Sequence, residues 1–173
     1  MIAPEVDTLS EKDVLNRIAF AVLYDFVCDY LGIDYDRLRA NAHVGNTRYD
    51  AAYEDEHTNT AFLFHFSPHR YALINGVKGM LGNLKLYEER GRKPWRLVVV
   101  VMEAWDLLTW PPKTTNPNGD SITSVRQAEE MIQTMFASDC DRGRLVIYAF
   151  DKDQLQQVVV EREKLKGEID AVN

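Results

Sequence analysis

The chain has 173 residues, 46% of them hydrophobic and 27% charged, and carries a formal net charge of -7. That length suits one domain, residues 1–173, with a core large enough to fold without a metal or a disulfide. The acidic balance lacks the basic stripe that phosphate contacts require, so direct nucleic-acid binding is not expected. No run approaches the roughly 20 apolar residues of a membrane span, and the opening residues MIAPEVDTLSEKD lack the basic and apolar regions of a signal peptide. A cytoplasmic protein with no membrane partner is the expectation.

The first helix is expected over residues 11–31. Ser10 and Asp13 have capping-box spacing, Val14, Ile18, Val22 and Phe26 recur at four-residue steps, and Gly32 is the stop. Two strands follow, over 46–54 with Tyr49 and Tyr53 and over 60–66 with Phe62, Phe64 and His65, joined by a polar hairpin connection. Ser67 and Pro68 read as an N-cap and first helical residue. Leu73, Val77, Met80, Leu81, Leu84 and Tyr87 then share one face of a helix over 69–90. Asn75-Gly76 is also a hairpin signal, but the helical period runs through it.

The run from Trp95 to Met102 is nearly continuous in apolar residues, the pattern of a strand covered on both faces. Residues 111–121 form a surface loop rich in turn residues. A helix over 123–137 points Ala128, Met131, Ile132 and Met135 inward, and 145–150 is a second buried-type strand. Asp151 caps a last helix with Gln154 at its third position, and 162–173 is a solvated helix end. The order α-β-β-α-β-α-β-α predicts an α/β (or α+β) fold, a single mixed sheet with helices packed on it.

Familiar chemistry is missing. There is no glycine-rich phosphate loop after either buried strand and no GxSxG elbow. Cys28 and Cys140 lack CxxC partners, which argues against a thiolate zinc site, and the acids flanking Cys140 disfavour its thiolate. Arg90, Arg92, Lys93 and Arg96 cluster at a helix end, where basic residues suit the helix dipole. Glu103, Asp106, Asp151 and Asp153 follow the buried strands, at the strand ends where parallel sheets bind ligands, although an N-cap role already accounts for Asp151.

Two candidate sites remain. Asp50, Glu54 and Asp55, with His57, could hold Mg²⁺ or Mn²⁺, which prefer oxygen ligands, or could be a solvated turn guarding a sheet edge. In the enzymatic reading Asp50 and Glu54 hold the ion and His65 or His57 is the general base of a metal-dependent hydrolase or phosphodiesterase. The second candidate is Gly76, Gly79 and Gly82, which line a face beside the apolar stripe of their helix. Each costs roughly 1 kcal/mol against alanine, and a face without side-chain bulk admits close approach by another backbone. Trp105 and Trp110 flank the 111–121 loop and are candidate contact residues.

A helix, a hairpin carrying Asp50, a second helix and a buried strand over residues 11–103 are similar in order to the core of the PD-(D/E)xK nuclease fold. That resemblance implies an Asp, a Glu and a Lys gathered around Mg²⁺, with Asp50 matching the Asp. The second strand reads Phe64-His65-Phe66 where the acid-x-Lys pair belongs, and it holds no lysine. The sequence therefore leads first to a non-enzymatic protein-binding or assembly module with no cofactor, acting on a protein partner or on itself, in one variant as an acidic inhibitor. The metal-dependent hydrolase is the alternative.

Overall fold

The computed structural model describes Cys28, residues 32–65, 69–90, 93–103, Ile122, residues 124–154 and Gln157. The expected helix over 11–31 apart from Cys28, the loop 111–121, the helix end 162–173, Ser67, Pro68, Trp105, Asp106 and Trp110 lie outside these residues.

The described elements are β1 (Leu38–Val44), β2 (Thr47–Tyr53), β3 (Asn59–His65), α1 (Arg70–Glu89), β4 (Trp95–Met102), α2 (Val125–Met135), α3 (Ala137–Asp141) and β5 (Leu145–Phe150). They form a single five-stranded sheet in the order β1-β2-β3-β4-β5. The first three strands are an antiparallel meander, and β4 and β5 continue it in parallel with β3. The mixed α/β sheet expected from the sequence is what forms.

β1 is a strand that the sequence reading did not include. Its residues LRANAHV show no clean alternation, because an edge strand with Arg39, Ala40, Asn41 and His43 exposed needs none. A tight turn joins it to β2, which starts at Thr47 and not at 46. Val44 pairs with Thr47, leaving the two-residue loop Gly45-Asn46, and Gly45 sits at φ 59°, where a first-position glycine makes a II′ hairpin.

Both faces of the central strands are buried. On one face Ala61, Leu97, Val99, Val101, Leu145 and Ile147 join Leu73, Val77, Leu81 and Leu84 of α1 and Val125, Ala128 and Ile132 of α2 in one cluster. On the other, Phe62, Val98, Val100 and Met102 are no more than 1% exposed. Burying a side chain of this size contributes about 1.5–3 kcal/mol, so two-sided burial explains the unbroken apolar run of β4.

Packing also explains why α1 survives three glycines. Leu73, Val77, Leu81 and Leu84 are buried along its 20 residues, which outweighs the propensity cost. Its N-cap is His69, with no side-chain cap bond, so the start falls later than the Ser67-Pro68 signal suggested. α2 is capped by Ser124, whose hydroxyl accepts from the Gln127 amide at 3.1 Å. It ends at Met135 instead of running to 137, because Phe136 leaves helical geometry and α3 begins. Met135, expected inward, is 54% exposed, since the buried stripe is Val125, Ala128 and Ile132. At the end of β5 the capping box is present, with Gln154 N donating to Asp151 Oδ1 at 2.8 Å and Asp151 N to Gln154 Oε1 at 2.9 Å.

Candidate functional site

The acidic hairpin resolves into separate small structures. Asp50, half-buried in β2, accepts a hydrogen bond at Oδ2 from the Phe64 amide at 2.7 Å. The last backbone pair between β2 and β3 is Ala51 with Phe62, so the carboxylate serves an amide just beyond the end of the ladder. Across on β1, Asn41 lies between the pairs Ala40–Ala51 and Ala42–Tyr49 and holds φ at 48°. The register is the same on both sides of Asn41, so its left-handed backbone is local strain within an unbroken strand. Burial raises the Asp50 pKa, while the Phe64 amide and the nearby Arg48 charge oppose that shift.

The remaining acids point to other partners. Glu54 pairs with Arg39 at 2.9 Å in the open, and its backbone oxygen accepts from Arg37. The Arg37 guanidinium lies 5.3 Å from the Tyr53 ring centroid. Asp55 accepts from the Glu56 amide, and Glu56 and His57 are exposed. His65 is 9% exposed at the end of β3, and His69 is exposed at the helix start. Among the described residues no group of three or more His, Cys, Asp or Glu is placed to hold a metal ion. Asp50, Glu54, Asp55 and His57 are thus not assembled around a common point, and Asp50 has a structural bond to keep.

Of the strand-end acids, Asp151 serves a local backbone contact and Asp153 is exposed. Asp151 caps the turn after β5, and the Glu103 amide donates to Phe150 O at 2.9 Å. Burial raises the Cys140 thiol pKa, with Asp139 and Asp141 adding to it, so this thiol is not primed as a nucleophile.

The glycines do not admit a neighbouring backbone from the described residues. A Cβ on Gly76 would meet only Leu63 Cδ2, at 3.6 Å, and one on Gly79 or Gly82 would meet nothing within 4 Å. Gly79 is exposed and the other two half-buried, so the stripe is open surface, not the buried face that a close backbone neighbour would make. Around it α1 exposes Tyr71 at 59% and Leu86 at 57%, an apolar pair that the glycine spacing alone did not reveal.

One cleft was not anticipated. Lys85, Glu88 and Glu89 of α1 face Ser138, Asp139, Arg142 and Arg144 around a cavity of about 540 Å³. Two ion pairs cross it, Lys85–Asp139 at 2.8 Å and a two-pronged Arg144–Glu88 contact at 3.0 and 3.1 Å. Nothing in the spacing of residues 85–89 points to 138–144, since the contact is tertiary.

No family model matches the chain, and neither a curated protein nor a solved structure matches it. No helix among the described residues is long and apolar enough to cross a membrane.

Proposed function

We propose that this chain is a non-enzymatic protein-binding or assembly module that acts through surface contacts. The observation that supports it most is the outer face of α1. A 20-residue helix whose inner face is fully occupied by core residues presents Tyr71, Leu86 and the open positions Gly79 and Gly82 outward. Exposed aromatic and aliphatic side chains around positions with no bulk suit close approach by a protein surface. Asp50, Glu54 and Asp55, each engaged in its own local contact, do not favour an inhibitor that mimics nucleic-acid phosphates.

Gly79→Glu and Gly82→Glu test the reading, since both positions are open and helical. Wild-type protein is expected to form a complex, with itself or with another protein, that these variants lose while melting at the wild-type temperature or above. A wild-type chain that is monomeric by light scattering and retains no protein in affinity capture would overturn it. The hydrolase reading makes a separate demand: calorimetry should detect Mg²⁺ or Mn²⁺ binding that Asp50→Asn removes. That result would replace the present reading.

A further inference from the structure

We propose that β5 is a self-association edge, where the β5 strands of two copies pair antiparallel across a two-fold axis to form one ten-stranded sheet from the two five-stranded ones. This rests on the assembly reading above and names the partner as a second copy of this chain. β5 ends the sheet among the described strands, with β4 on one side only. The Leu97 amide donates to Arg144 O at 2.7 Å and the Glu103 amide to Phe150 O at 2.9 Å, so even-numbered residues turn their backbone groups toward β4. In a parallel ladder the alternate residues turn theirs away. Leu145, Ile147 and Ala149 therefore direct three amides and three carbonyls outward, a template for another strand.

Nothing in the strand discourages pairing. Leu145–Phe150 reads LVIYAF, with no charge, proline or glycine, and these are the devices by which sheet edges avoid association. Charge at its two ends selects the direction. At the start of β5 exposed Asp141 and Arg142 balance and Arg144 is paired with Glu88, whereas beyond its end Asp151 and Asp153 are exposed around half-buried Lys152, which leaves that end acidic. A parallel pair sets the two acidic ends against each other, whereas an antiparallel pair sets the acidic end of one copy against the balanced end of the other. Such a contact is self-complementary and closes at two copies, so it gives a dimer and not a fibre. Exposed Met135 adds apolar surface on α2, the helix that packs on β5.

Two variants test the proposal in the full chain. Ala149→Pro deletes an outward amide without removing a β4 bond, and Val146→Lys adds the lysine guard that edges commonly carry on a half-buried side chain. Light scattering of the wild type is expected to give twice the 19.9 kDa chain mass. Each variant is expected to give the single-chain mass with an unchanged far-ultraviolet circular dichroism spectrum, and Val146→Lys carries the test if the proline variant fails to fold. A monomeric wild type overturns the β5 edge, and capture of another protein through the α1 face would then leave the broader reading standing. A dimer that survives both β5 variants but dissociates in Gly79→Glu also overturns it, and assigns the contact to α1.

Discussion

β1 borders the sheet with Arg39 and His43 in solvent and a left-handed kink at Asn41, whereas β5 borders it with six uncharged residues in regular pairing. Both are edges among the described strands, yet only β1 carries the charge and irregularity that keep strands apart. β1 is held by local devices, the II′ turn at Gly45 and the Arg39–Glu54 pair, while the Asp50–Phe64 bond ties its neighbour β2 to β3. β5 is held by burial, with Leu145, Ile147 and Phe150 at 2%, 8% and 2% exposure, and by Arg144 gripping Glu88. The contrast separates an edge built to end a sheet from one that could extend it.

The largest predicted effect concerns the buried edge. Leu145→Ala should cost about 2–5 kcal/mol in chemical denaturation, the range for truncating a fully buried leucine, while Leu38→Ala, at a half-buried site on β1, should cost clearly less. Equal losses would show that the two edges are held alike.

Next comes Asp50. Asp50→Ala leaves the Phe64 amide without its acceptor and should cost about 1–3 kcal/mol. Because burial lifts the Asp50 pKa above 3.8, the folded chain holds this proton more tightly than the unfolded one. The resulting stabilisation is full below the unfolded value and fades as pH rises through the raised folded value, so stability falls with pH over a window that opens near 3.8. Asp50→Asn should flatten that part of the pH profile, and a profile unchanged by the substitution would contradict the assignment.

Asn41→Val tests the kink. A β-branched residue at φ 48° should lose about 1–2 kcal/mol by thermal melting, the cost of left-handed backbone without a glycine or asparagine. If Asn41→Val instead stabilises the chain, the kink is not an intrinsic feature of the edge. Smallest is Arg144→Ala, expected to cost about 1 kcal/mol or less, since its pair with Glu88 is partly screened by solvent. Raising the salt concentration should shrink that difference further.

Much of the sheet was legible because burial leaves a pattern. The run Trp95 to Met102 is apolar on alternate faces together, and Leu145 to Phe150 nearly so, which is why β4 and β5 appear where the sequence placed them. β1 escaped because most of its side chains face solvent and only the turn residues Gly45 and Asn46 announce it. Met135 was misplaced because the helical period continues past the point where Phe136 breaks the helix. The acidic hairpin was visible as composition, but composition does not say that Asp50 serves a backbone amide and Glu54 an arginine. The glycine spacing was visible in the sequence, but the openness of those positions depends on what surrounds them in space.

Residue-resolved amide hydrogen exchange along β5 tests the central contrast most directly. If β5 is an associating edge, the outward amides of Leu145, Ile147 and Ala149 will exchange slowly in concentrated protein and quickly on dilution. The amides of Val146, Tyr148 and Phe150, directed at β4, will stay protected throughout. Outward amides that exchange at the same fast rate at every concentration would contradict the account and leave β5 a bare edge like β1.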